Sequence, residues 1–83
     1  MSDLKFEIVK SFGIIREEKE GWKKEVNLVS WNERKPKLDI RSWNEDHLKM
    51  TKGITLNIDE LNVLRNIIGD MDLESIEEYS QAY

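Results

Sequence analysis

Cations and tryptophans share one parity in two neighbouring segments of this chain. Over 22–31 (WKKEVNLVSW), Lys23, Glu25, Asn27, Val29 and Trp31 fall on one parity, and Val26 and Leu28 on the other. Over 37–43 (KLDIRSW), Lys37, Asp39, Arg41 and Trp43 alternate with Leu38 and Ile40. Successive side chains of an extended chain point to opposite faces. Both segments therefore read as strands with one aliphatic face and one face of cations and indoles. Arg34 and Lys35 sit in the turn between them, and Lys49 and Lys52 flank the loop that follows. Aromatic rings stack on unpaired bases and Lys/Arg heads neutralise phosphates, the two requirements for holding a single nucleic-acid strand. Lys23, Trp31, Arg34, Lys35, Lys37, Arg41, Trp43, Lys49 and Lys52 are thus the candidate binding set. A sheet would hold them at fixed spacing, so little ordering entropy is lost on binding. A plainer reading stands beside this one. Tryptophans of a small domain are more often core, and Lys/Arg on a sheet face often only deter edge-to-edge aggregation. Trp22 shares the aliphatic parity and is expected to close a hairpin end, whereas Trp31 and Trp43 share the parity of the cations. Asp39, among those cations, either pairs with Arg41 or Lys37 or dilutes their charge.

The elements that position this set follow from the flanking pattern. Phe6, Ile8, Phe12 and Ile14 share a parity within 5–16, so a first strand is expected there with a bulge or bend at Gly13. EEKEG over 17–21 is a hairpin loop. Residues 32–36 form a second turn, and Pro36, which cannot donate to a ladder, belongs at a strand start. After a polar loop over 44–50, a short fourth strand spans 53–56 with Ile54 and Leu56 inward. Asn57 and Glu60 are spaced as a capping box. Asp59 and Glu60 suit a helix N-terminus. Ile58, Leu61, Leu64, Ile67, Ile68 and Met71 recur at helical spacing, and Gly69 is a candidate stop. The expected fold is α+β: a curved four-stranded antiparallel meander and one C-terminal helix in residues 1–71, with an acidic tail or short extra helix over 72–83. One helix covers only part of a sheet face, so its apolar arc points to a homodimer.

Composition bounds the alternatives. A chain of 83 residues makes one domain with a small core and, with no cysteine, no disulfide staple. Oligomerisation is a common remedy at this size. The net charge of −4 is uneven. Residues 70–83 hold five acids and no Lys or Arg, whereas 22–53 hold eight Lys/Arg against five Asp/Glu. The centre is basic and the tail acidic. There is no apolar leader, no membrane-length run, and no His/carboxylate cluster for a metal. A cytoplasmic, nucleoid-associated protein is expected, without cofactor, small-molecule substrate or membrane partner. An enzyme is the least supported class. His47, the single histidine, sits beside Asp46 in a polar loop and reads as solvated. No nucleophile completes a triad and no glycine-rich phosphate loop is present. The rival to nucleic-acid binding is a protein-interaction module that uses the apolar helix and the acidic tail.

LDIRSW, then KGITLN, then IDELNVL resembles the core of the positive cofactor four family of transcriptional coactivators. The preceding GWKKEVNLVSWN looks more like its bacterial YdbC-type members. The resemblance covers roughly 5–68 and is strongest over 38–64. It implies a homodimer that binds single-stranded DNA with little sequence preference, in transcription, replication or repair, with RNA and base preference left open. Arg41 matches the family's strand arginine and Lys52 the lysine before the glycine, and Trp43 stands at or next to the strand-end aromatic. Trp31 stands for the aromatic before the second turn, and Lys35 or Lys37 for the basic residue after it. Fourth strands and helices pack at the two-fold in that family, which places Ile54, Leu61, Leu64, Arg65 and Ile68 at the dimer interface. Thr51 stands where a second loop cation is common. The serine-rich, acidic N-terminal region of the eukaryotic members is not matched in this sequence, which speaks against the eukaryotic coactivator role, and the C-terminal acidic tail lies outside the family core.

Overall fold

The computed structural model describes residues 4–82. Residues 1–3 and 83, the ends of the expected domain and tail, lie outside the described residues. Four strands, β1 (Phe6–Glu17), β2 (Lys23–Trp31), β3 (Lys37–Trp43) and β4 (Ile54–Leu56), form one sheet in the order β1-β2-β3-β4. Every neighbouring pair is antiparallel, so the sheet is the expected meander. A 3-10 turn at Lys19–Gly21 joins β1 to β2, with Glu20 and Gly21 at positive φ. Beside it, Arg16 binds the Glu18 carboxylate, which also accepts from the Ser42 hydroxyl. The Arg16 hydrogen bond holds the Glu18 pKa below the ordinary carboxylate range, against the opposing effect of partial burial.

Two helices follow, α1 (Ile58–Gly69) and α2 (Leu73–Gln81), where one was expected with the tail left open between a short helix and an unstructured end. The capping box of α1 is present: Asn57 Oδ1 accepts from the Glu60 N–H, and Glu60 accepts from the Asn57 N–H. Gly69 is not the left-handed stop it suggested. It is the last helical residue, and Asp70 caps the end at φ −92°. A backbone bond from Met71 to Ile68 then turns the chain towards α2. Asp72 caps α2 by accepting from the Glu74 N–H and the Ser75 hydroxyl.

β1 carries three register shifts against β2, at Ile8/Lys10, Ser11/Gly13 and Ile14/Arg16. The alternation suggested one bend at Gly13. The two further bulges take Phe12 off the face that holds Phe6, Ile8 and Ile14, which lie opposite Trp31, Val29 and Glu25. Bulges increase local twist and bend a strand, and here the sheet curls strongly. Trp43 lies opposite Lys23, eight residues along β2 from Trp31. On a flat sheet that separation is about 26 Å, yet the two indole centroids are 6.3 Å apart.

Curling reverses the expected exposure of the two faces. The hollow of the sheet is the face of cations and indoles, and it contains the most deeply buried side chains: Trp43, Val29, Asn27 and Asp39. On the aliphatic face, α1 packs mainly against β3 and β4. Leu38 is buried there, Val26, Leu28 and Ile40 are half-buried, and Ile54 is exposed. The radius of gyration is 15.2 Å, against about 12 Å for a compact chain of this length. Ile58, Val63, Ile67 and Ile68 leave an apolar strip on α1 exposed to solvent.

Candidate nucleic-acid interface

The hollow is filled by an aromatic cluster built across three strands. Phe6 of β1 lies 5.0 Å from Trp43 and 5.9 Å from Trp31, centroid to centroid. Trp31 and Trp43 are stacked with their planes 10° apart, and the Arg41 guanidinium lies 4.5 Å from the Trp31 ring. His47, on the loop after β3, approaches Trp43 from another side at 5.6 Å. Trp43 is fully buried, so it is the floor of the cluster and not the open platform expected from its parity. The half-buried rings Phe6 and Trp31 bring the cluster to solvent.

A polar network lies beside the rings. Arg41 grips Asp39 with two parallel bonds, Nε to Oδ1 at 2.7 Å and Nη2 to Oδ2 at 2.8 Å. Its third nitrogen donates to the Thr51 carbonyl, tying β3 to the approach of β4. Asp39 is fully buried, so pairing with Arg41, one of its two expected roles, is what compensates its charge. Arg41 is thereby committed inside the protein, with 13% of its side chain exposed. Next along, the Glu25 carboxylate accepts from Asn27 Nδ2 at 3.0 Å and meets His47 Nε2 at 2.9 Å. His47 is therefore not the solvated loop residue expected: its backbone turns at positive φ and its ring closes the 44–49 loop onto β2. Among the described residues three buried polar atoms in this region have no partner: Asn27 Oδ1 and the indole nitrogens of Trp31 and Trp43.

The remaining candidates surround this centre. Lys23 is half-buried, and Arg34, Lys35, Lys37, Lys49 and Lys52 are exposed. Among the described residues none of these six forms an ion pair, so their charge is available to a ligand. Trp22 sits at the hairpin end against the 44–49 loop, as expected. Sequence reasoning missed Phe6, Glu25, Asn27 and His47. Glu25 and Asn27 carried a signal, since both share parity with Trp31, but a carboxylate on a basic face drew no attention. Phe6 was read only as part of an apolar alternation, although it pairs directly with Trp31.

Of the expected interface residues, Leu61 and Leu64 are half-buried, and Ile54, Arg65 and Ile68 are exposed. Gly53 enters β4 where the chain crosses β3. A Cβ there would overlap the Ile40 carbonyl oxygen and Arg41 Cβ, which explains a glycine between Lys52 and Ile54. Among the described residues no helix is long and apolar enough to cross a membrane, and no cluster of three His/Cys/Asp/Glu side chains could hold a metal.

Comparison with known proteins agrees with this geometry. The family described as transcriptional coactivator p15 (PC4) matches residues 18–67, from the end of β1 through nearly all of α1. An uncharacterized protein of Treponema pallidum (strain Nichols) is 38% identical over 72 residues, which covers 87% of this chain and 85% of the relative.

Proposed function

Because the chain belongs to the transcriptional coactivator p15 (PC4) family, we propose that it binds single-stranded DNA as a homodimer, in the manner of the YdbC-type members. The observation that carries this is the guanidinium–indole cluster in the hollow of the sheet, with Arg41 over Trp31 and the Trp31 plane nearly parallel to that of Trp43, together with cations that form no ion pair among the described residues. A base that joins the cluster at Trp31 or Phe6 gains about 1–3 kcal/mol whatever its identity. The exposed Arg34, Lys35, Lys37, Lys49 and Lys52 take phosphates, and the half-buried Lys23 lies within the hollow. Arg41 acts differently: it holds the Trp31 ring and orients the loop that ends in Lys52. Duplex DNA hides the base faces that the rings require, which favours single strands.

The dimer rests on the exposed apolar surface of α1 and β4. Ile54, Leu61, Leu64, Arg65 and Ile68 form the interface, with Ile58, Val63 and Ile67 beside them. The same strip is what favours the second reading, a protein-interaction module in which another protein covers it.

Titration of the protein's tryptophan fluorescence with an oligothymidine and with a matched duplex separates the two. Strong quenching by the single strand and little by the duplex is expected. Log affinity should fall linearly with log salt, with a slope of about −0.7 per neutralised phosphate. No response to either nucleic acid would leave the interaction module as the better reading.

A further inference from the structure

Between β1 and β2 the hollow contains a cleft of about 340 Å³, within the roughly 300–1,000 Å³ range of small-ligand sites. Ser11 and Ile14 line it from β1, Glu25 and Asn27 from β2, and Lys23 and His47 complete it. Its most buried polar groups are acceptors, and the Ser11 hydroxyl opposite Asn27 can donate or accept. Asn27 turns its amide nitrogen to the Glu25 carboxylate, an orientation fixed because the reverse would set oxygen against oxygen. That leaves Asn27 Oδ1 buried and without a donor. Glu25 has about four lone-pair sites, and among the described residues only Asn27 and His47 approach them. The floor thus offers acceptors, and the Lys23 ammonium and the Ser11 hydroxyl are the nearby groups that can donate. A buried acceptor without a partner is costly, so a ligand that supplies N–H groups is favoured here. A phosphate is repelled by the Glu25 charge.

We propose that this cleft takes one unstacked base of the bound strand and selects guanine. The inference rests on the single-strand reading above and adds a preference at one position. Guanine presents N1–H and an N2 amino group side by side, with the O6 acceptor next to them. The two donors match Glu25 and Asn27, and O6 matches Lys23, Lys to guanine O6 being a common specific contact. Adenine and cytosine present one donor beside an acceptor. Thymine presents one donor between two carbonyls, both repelled by the carboxylate. Ile14 supplies the apolar wall against which the base lies.

The test uses the full chain and short labelled oligothymidines, read by fluorescence anisotropy at fixed salt. Each oligonucleotide carries one central substitution: guanine, hypoxanthine, adenine or none. Guanine should bind about tenfold tighter than unsubstituted oligothymidine, in line with the discrimination of a paired hydrogen-bond contact. Hypoxanthine, which lacks the N2 amino group, should fall between. Adenine should give little gain, although it stacks as a purine does. Glu25→Gln brings a donor into the acceptor floor. It should abolish the guanine advantage, because it removes the paired acceptors and relieves the repulsion of the thymine carbonyls together, with folding checked by far-UV circular dichroism. If Glu25→Gln does not fold, the comparison of guanine with hypoxanthine and adenine on the unaltered chain decides alone. Equal affinity for all four oligonucleotides, or adenine equal to guanine, overturns the inference while the single-strand reading stands. Failure of every oligonucleotide to bind overturns both.

Discussion

Trp43→Ala should remove much of the protein's stability before it reveals anything about binding. The ring is fully buried between Phe6, Trp31 and His47. Burying an indole removes about 150–250 Å² from water, or about 4–6 kcal/mol at 25 cal/mol per Å², an upper bound because unfolded chains are already partly collapsed. Its Nε1–H is buried without an acceptor, a penalty of about 1–3 kcal/mol that truncation relieves. The net loss is about 3 kcal/mol, at the low end of Trp→Ala substitutions in cores. A chain of 83 residues has about 4–12 kcal/mol in total, so about a quarter to three-quarters of its stability goes. With a urea dependence of about 1 kcal/mol per molar, the midpoint falls by about 3 M. The melt is followed by far-UV circular dichroism, because the substitution removes a fluorophore, and at fixed protein concentration, because a dimer couples stability to concentration. Trp43→Phe keeps a ring and removes the unpaired N–H, and should cost about 1 kcal/mol. A Trp43→Ala protein with a midpoint close to the parent's and lost DNA affinity would refute this reasoning and restore Trp43 as a surface platform. Trp31→Ala is the informative probe of stacking: single-strand affinity should drop about 5- to 150-fold.

Gly53→Ala should destabilise by about 2 kcal/mol, since the added Cβ meets the Ile40 carbonyl oxygen and Arg41 Cβ in the packed crossing of β3 and β4; a urea melt at the parent's midpoint would contradict it. A chain ending at Gly69 lacks the five acids of 70–83. If the tail competes with DNA for the basic face, this chain should bind oligothymidine more tightly at low salt, with the gain fading as the screening length shrinks; unchanged low-salt affinity sinks the idea. Arg16→Ala removes the main cause of the lowered Glu18 pKa, so NMR titration should find that pKa moved up towards the ordinary glutamate value. A lowered folded-state pKa stabilises above the unfolded value and is lost as pH falls through the folded one, so the parent's advantage over Arg16→Ala should shrink on acidification.

Most of the fold was legible because it is written in short-range rules. Alternation over 22–31 and 37–43 placed β2 and β3, and Asn57 with Glu60 placed the start of α1. What failed was whatever depends on bulges or on chain direction after a helix. Nothing in the order Phe6, Ile8, Phe12, Ile14 announces three register shifts, because a bulge records a mismatch with the partner strand rather than a local preference. Gly69 looked like a stop because glycine tolerates positive φ, but Asp70 caps α1 with ordinary helical geometry.

The site shows the same division. Parity correctly put Lys23, Trp31, Lys37, Arg41 and Trp43 on one face, yet parity carries no curvature. On a flat sheet that face is solvated, and every cation on it is free to meet phosphate. Curled, it becomes an interior. Trp43 sinks, Asp39 loses water and takes Arg41 with it, and Glu25 draws in His47 from a loop that sequence reasoning treated as solvent-exposed. Charges buried this way are retained only when paired, so the acids on the basic face are the counterpart of its curvature and not a dilution of its charge. Under the proposed function this divides the labour: aromatic rings and the Glu25 carboxylate for bases in the hollow, and unpaired cations for phosphates around it.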